Sequence, residues 1–170
     1  EKKKINKFSE KTLIKKIQKK FEYSVDQHLI SDRKIGLFLS GGTDSTALAY
    51  LMAKKIDYNL KTYTYGFSND KTFSEHLVAN KTAKDLRISN TAVDVKPRDI
   101  TDNMEKLVNI LESPFTSIRI FGIYKLYELA KEDGLKVIIE GDGGDELFGG
   151  YDYNFLFYAL DLIKEKRNPY

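Results

Sequence analysis

The chain has 170 residues, 41% of them hydrophobic and 12% aromatic, which suffices for one buried core and is too apolar for a disordered segment. No apolar run reaches the roughly 18 residues of a membrane span, and Glu1-Lys2-Lys3-Lys4 opens on charge and not on a signal peptide's apolar stretch, so the expectation is a soluble, cytoplasmic protein with no membrane partner. The formal charge of +3 hides a leader, residues 1–20, with nine Lys and two Glu, which reads as a solvated face or linker; nucleic-acid binders carry a basic face across the fold, and none is expected here.

In chain order, Leu13, Ile14, Ile17, Phe21, Val25 and Leu29 recur at helical spacing over residues 10–29 and predict a helix with one face to bury. Residues 35–39 are a short apolar run, the mark of a strand covered on both faces, and they lead into Ser40-Gly41-Gly42-Thr43-Asp44-Ser45 and a helical pattern through Leu48, Leu51 and Met52. A strand over 60–65, a helix over 72–86, a strand over 88–95 and helices over 98–111 and 118–131 follow. A last strand at 135–139 ends in a second glycine-rich segment, and a helix covers 153–166. Strands alternating with helices predict an α/β domain with a parallel sheet flanked by helices. The expected division is a basic leader and amphipathic helix over 1–30, then one domain over 31–170. Ligands of such sheets bind beyond the carboxyl ends of the strands, where both glycine-rich segments fall.

The chemistry available is narrow. Cysteine is absent and only His28 and His76 are present, which excludes disulfides, cysteine–zinc sites, thiol nucleophiles and multi-histidine metal centres. Carboxylates, lysines, hydroxyls, backbone amides and a hard, oxygen-bound cation remain.

The first glycine segment joins a strand to a helix. Gly41 and Gly42 let the main chain approach an anion, Ser40 and Ser45 offer hydroxyls, and the helix N-terminus adds positive charge, a combination suited to phosphate. Asp44 would repel a bare phosphate but suits a magnesium ion bridging to one. A Walker A loop would need Gly-Lys-Ser/Thr, a dinucleotide fingerprint G-x-G-x-x-G, and a nucleophile elbow glycine where Phe38 stands. The plain alternative is a strand–turn–helix capped by Thr43 or Asp44.

The second segment, Gly141-Asp142-Gly143-Gly144-Asp145-Glu146-Leu147-Phe148-Gly149-Gly150-Tyr151, holds five glycines and three acids. An EF-hand counted from Asp142 would need glutamate where Tyr153 stands. The alternative is a solvated acidic turn, against which Leu147-Phe148 are expected to tie the loop over the core. Asp44 and Asp145 could then clamp one Mg2+ with phosphate oxygens and water.

Ser40–Ser45 resembles the S-G-G-x-D-S pyrophosphate loop of the ATP pyrophosphatase (PP-loop) superfamily, and residues 141–151 resemble the signature of its asparagine synthetase branch. The resemblance extends over nearly the whole chain, including Glu112-Ser113-Pro114-Phe115. It implies that ATP activates a carboxylate, that of aspartate in the family, as an acyl-adenylate, that magnesium pyrophosphate leaves, and that ammonia then forms the amide. By residue, it implies that Ser40, Gly41, Gly42 and Ser45 cradle pyrophosphate, that Asp44 and Asp145 bind Mg2+, and that the backbones of Leu39, Tyr65, Glu140 and Gly141 hold the adenosine. Asp142 stands where asparagine synthetases often have the glutamate tied to the adenylate; its shorter side chain points to a relative with a different acceptor. Glu146 would support the site from behind.

The same resemblance implies a glutaminase domain or subunit that supplies ammonia through an N-terminal cysteine and is absent from this chain, and a lysine well beyond Tyr151 that Lys164 and Lys166 come too early to match. The expectation is a synthetase-domain piece, incomplete at both ends relative to the family, with a homo-oligomer left open. Rival readings are a PP-loop amidotransferase acting on another acceptor such as a sugar, an ATP-binding module without catalysis, and a tRNA-modifying PP-loop enzyme. Arg119 is read as structural, Glu75 and Lys81 as surface, His76 as solvent-facing, and Tyr124, Tyr127, Phe155, Phe157 and Tyr158 as core or buried interface.

Overall fold

A computed structural model describes residues 8–67 and 75–164. Its elements run α1 (Glu10–His28), β1 (Ile35–Phe38), α2 (Thr43–Lys55), β2 (Lys61–Phe67), α3 (His76–Leu86), β3 (Ser89–Val95), α4 (Pro97–Leu111), α5 (Arg119–Glu132), β4 (Val137–Ile139), α6 (Gly144–Phe148) and α7 (Asp152–Lys164). They belong to two compact units, Glu1–Ile139 and Glu140–Tyr170.

The first unit is built on a parallel four-stranded sheet in the order β3-β2-β1-β4. β1 lies inside it, and its side chains alternate between two layers. Leu37 and Leu39 pack with Val25 of α1, Ala49, Met52 and Ala53 of α2, and Ala79 and Ala83 of α3. Phe38 points the other way, onto Leu126 and Ala130 of α5. A strand covered on both sides has no polar face to show, hence the unbroken apolar run. A third cluster, Val95, Leu107 and Phe121, fixes α4 and α5 on β3.

Directional bonds add to this packing. The Tyr63 hydroxyl on β2 donates to Asp133 Oδ2 at 2.6 Å, and Lys61 Nζ lies 3.1 Å from the same oxygen. Asp133 is the C-cap of α5. The bond to Tyr63, then that to Lys61, holds the Asp133 carboxyl below the usual carboxylate range, while burial and Asp133 push the Tyr63 hydroxyl up.

Several expectations are corrected. Only the second half of the apolar face of α1 is covered, by contacts at Val25, Phe21 and Leu29; Leu13, Ile14 and Ile17 are exposed. With 19 residues α1 is about 28 Å long, against about 20 Å for the 13-residue α2 beneath it, so its first turns overhang. β2 continues two residues past Tyr65 because Gly66 and Phe67 pair with Asp94 and Val95. Residues 72–74 of the helix expected at 72–86 lie outside the described residues.

The second unit contains α6 and α7. The glycine-rich segment expected as a loop folds its centre into the single turn α6, between Gly143 and Gly149, both with positive φ. Leu147 and Phe148 are 76% and 60% exposed and cover no core, and Phe155, Phe157 and Tyr158 on α7 are exposed as well, as is Tyr127 on α5. A turn of five residues has no length with which to bury one side. Residues 165 and 166 of the expected last helix lie outside the described residues. No described helix is long and apolar enough to cross a membrane.

Candidate functional site

At the carboxyl end of β1 the chain reverses through Gly41, whose φ of +81° is left-handed. A Cβ there would lie 2.9 Å from Val78 Cβ and 3.0 Å from Ala79 N, on α3. Both the conformation and the space demand glycine. Gly42 is the N-cap of α2, and no side chain caps that helix; its first N–H groups and dipole are directed at the turn.

The two serines close the turn on itself. Their hydroxyls lie 2.9 Å apart, Ser40 N–H donates to Ser45 Oγ at 3.2 Å, and Gly42 N–H donates to Ser40 Oγ at 3.2 Å. Ser45 is 4% exposed, so its hydroxyl shapes the cradle from inside. Asp44 stands half-buried in the first turn of α2. The N-cap is thus neither Thr43 nor Asp44, which leaves the Asp44 carboxylate uncommitted to capping.

Leu39 directly follows β1, and Tyr65 lies two residues before the end of the neighbouring β2. Leu39 N–H donates to Tyr63 O at 2.9 Å and its carbonyl accepts from the Thr64 hydroxyl; a carbonyl has a second lone pair for another donor. Beside Tyr65 the structure gathers three residues that the sequence reading set aside. Arg119, the first residue of α5, donates from Nε to Tyr65 Oη at 3.2 Å. Glu75 is half-buried; burial raises its carboxyl above the usual range, while the charges of Arg119 and His76 oppose that shift. His76 is not solvent-facing: its ring lies against Gly66, Nε2 bonds Val93 O at 3.1 Å, and Nδ1 is 3.4 Å from Asp94 Oδ1. Gly66, one residue past the strand expected at 60–65, makes room for the His76 ring, as glycine does where another group approaches a strand closely.

In the second unit, Gly141, Asp142, Gly143, Asp145, Glu146 and Tyr151 line a pocket of about 230 Å³. Four residues named from the sequence therefore share one cavity, Gly141, Asp142, Asp145 and Glu146. Gly149 and Gly150 N–H both donate to Asp145 O, at 2.9 and 3.1 Å. The Asp145 carboxylate lies against Gly150, where a Cβ would overlap it. The Tyr151 hydroxyl donates to Glu146 Oε1. That bond holds the Glu146 carboxyl below its ordinary range and helps push the Tyr151 hydroxyl up to about 12. Burial first, and the Asp142 charge second, raise Glu140.

Among the described residues no three or more His, Asp or Glu side chains are grouped as a metal site. Magnesium is ordinarily held by one or two carboxylates together with substrate phosphates and water, and Asp44, in the first turn of a helix whose N–H groups no side chain caps, fits that pattern.

The family model for asparagine synthase matches residues 16–167. The chain belongs to the asparagine synthase family. Glutamine-hydrolyzing asparagine synthetase 1 of Bacillus subtilis is 35% identical over 160 residues, covering 94% of this chain and 24% of that protein. Amidase chyE of Penicillium rubens is 28% identical over 170 residues, covering 92% of this chain and 25% of that protein. The chain thus spans about a quarter of the length of these curated relatives. Among solved structures, the NH3-dependent NAD synthetase of Campylobacter jejuni superposes with a TM-score of 0.53 at 20% identity, covering 81% of this chain and 60% of that one. That likeness gives the fold, a parallel sheet flanked by helices, and the family match makes this an asparagine synthase-like ATP pyrophosphatase domain.

Proposed function

We propose that this chain, with residues 31–170 as its nucleotide-activating domain, carries the ATP-dependent step of an amide-forming ligase. A substrate carboxylate attacks the α-phosphorus of ATP, pyrophosphate leaves, and ammonia displaces AMP from the acyl-adenylate to give the amide. The observation that carries this reading is the turn at Ser40–Ser45: a left-handed glycine, an uncapped helix N-terminus and a serine pair that shapes them before any ligand arrives. Charge grows on the leaving pyrophosphate, and preset N–H donors at that point lower the barrier without having to reorganise.

In this reading Ser40, Gly41, Gly42 and Ser45 form the pyrophosphate cradle, and the backbones of Leu39, Tyr65, Glu140 and Gly141 hold the adenosine. Asp142 faces the adenylate, and Glu146, bonded to Tyr151, supports it from behind. Asp44 of the first unit and Asp145 of the second are each proposed as a ligand for Mg2+, which when bound would neutralise phosphate charge. Arg119 adds a cation for an oxyanion of the nucleotide or of the acceptor. Ammonia reaches the site from a glutaminase domain or subunit, and the parent acceptor is aspartate.

A second acceptor class is favoured by one residue. Asp142 has a shorter reach than glutamate, and an amidase stands among the relatives. The deciding measurement is exchange of labelled pyrophosphate into ATP with a panel of carboxylates. Exchange with aspartate alone selects asparagine synthesis, and exchange with another carboxylate selects a different amide. ATP binding without exchange reduces the chain to a nucleotide-binding module.

A further inference from the structure

Thr62 and Thr64 on β2 are each 1% exposed. By strand alternation they share a face with Leu60, which packs with Ala79 and Ala83 of α3. Valine would fill either position at almost the same volume, and a buried hydroxyl is costly unless it finds a partner. The two threonines use theirs differently. Thr62 Oγ1 bonds toward β3, with Ser89 O at 2.9 Å and Asn90 Oδ1 at 2.8 Å. Thr64 Oγ1 lies 3.2 Å from the same Asn90 oxygen, but its nearer acceptor is Leu39 O, which leads into the glycine turn. Asn90 Nδ2 donates in turn to Asn80 Oδ1 at 2.7 Å, on the helix whose Val78 and Ala79 crowd Gly41.

The bond to Leu39 O falls where the ladder between β1 and β2 stops. Its register ends at Phe38 and Tyr63, with Leu39 N–H on Tyr63 O. The next peptide unit joins Leu39 C=O to Ser40 N–H, and side chains hold it: the carbonyl accepts from Thr64, and the N–H donates to Ser45 Oγ at 3.2 Å. No described peptide bond is cis, and in a trans peptide the two groups lie in one plane and point in opposite directions. One hydroxyl from β2 and one from α2 thus grip opposite edges of a single rigid plane. Leu39, Ser45 and Thr64 are all buried, so water does not compete for either bond.

We propose that Thr64 is a positioning residue: it fixes the Leu39–Ser40 peptide plane against Ser45 and so sets the angle at which the chain enters the glycine turn. Without its hydroxyl a buried carbonyl loses its donor. The plane then turns toward another donor, Ser40 N–H turns with it, and the anion-binding N–H groups of the turn lose their common aim. The identity of the anion as pyrophosphate rests on the function proposed above, whereas the clamp is a property of the first unit alone.

The test compares Thr64→Val, Thr64→Ser and Thr62→Val in the full chain. Inorganic pyrophosphate and MgATP are titrated by calorimetry, and native-state hydrogen exchange is followed at the Ser40 amide with the Leu39 amide as reference. Thr64→Val is expected to weaken binding of both ligands about tenfold, the worth of one buried hydrogen bond, and to speed Ser40 exchange by a similar factor. Thr64→Ser keeps the hydroxyl and is expected to restore both. Thr62→Val removes an equally buried hydroxyl that reaches Asn90 but not Leu39, and is expected to lower stability in urea without moving either readout. In a chain that binds pyrophosphate, unchanged binding or unchanged Ser40 exchange in Thr64→Val overturns the proposal. So does an equal loss in Thr62→Val, or a Thr64→Ser chain as weak as Thr64→Val. A parent chain that binds neither ligand removes the nucleotide reading instead; faster Ser40 exchange in Thr64→Val alone would then keep the clamp, and unchanged exchange would remove it too.

Discussion

The turn after β1 is held from beneath and from within. Leu39 is buried under it, Val78 and Ala79 press on Gly41, and the Ser40–Ser45 pair closes it. The loop after β4 has a similar composition and a different support. Its turn α6 buries no residue, its two apolar side chains are exposed, and its named polar bonds run between close neighbours in sequence, from Gly149 and Gly150 to Asp145 and from Tyr151 to Glu146. The first turn is thus part of the fold's stability, and the second is a local structure whose changes should leave the sheet untouched. Glycine content alone does not say which of the two a segment will be; what lies under it does.

The comparison can be broken most severely at the aspartates. Asp44→Asn and Asp145→Asn are each expected to lower magnesium-dependent ATP turnover about a hundredfold or more while the melting temperature holds; metal titration showing unchanged affinity in either variant would remove that aspartate from the proposed magnesium ligands. Gly41→Ala should separate the loops next. A side chain forced into a left-handed turn and against α3 is expected to cost about 1–3 kcal/mol of global stability, measured by urea denaturation, whereas a change at exposed Leu147 should stay within about 0.5 kcal/mol. Ser45→Ala comes third, with a loss of about 1 kcal/mol from buried hydrogen bonds and a weaker grip on pyrophosphate.

The smallest effect belongs to the Glu146–Tyr151 bond. Glu146 titrates below its unfolded value, so the stability it lends is present above the ordinary glutamate range and fades as pH falls through the lower folded value. Tyr151 is raised to about 12, so its share is present below the ordinary tyrosine value of about 10 and fades as pH rises through the folded one. Tyr151→Phe is expected to return Glu146 toward its ordinary pKa in an NMR titration. An unmoved Glu146 would mean that another group holds it.

Much of the first unit could be read from residue pattern because its causes are local or periodic. Apolar runs at 35–39 and 135–139 marked strands, the first of them covered on both faces, and helical spacing marked α2, α4 and α5. Periodicity tells which face of a helix is apolar but not how far its neighbour extends, and Leu13, Ile14 and Ile17 lie beyond the reach of the core. The fate of His76 depended on Gly66, ten residues away and on another element, a relation no spacing rule carries. Arg119 looked structural beside Ile118 and Ile120, and only the fold sets its guanidinium beside Tyr65. The two glycine loops were recognisable because their residue types follow the chemistry itself; the turn α6 was hidden because glycines at both ends masked the helical Asp145-Glu146-Leu147-Phe148 between them.

Tyr63 and Tyr65 lie two residues apart on one strand, and their hydroxyls reach opposite ends of α5, one the Asp133 cap and the other Arg119. Apolar packing at Phe121, Leu126 and Ala130 seats α5 on the sheet. The two phenols add a pair of end stops, so α5 is latched along its own axis as well.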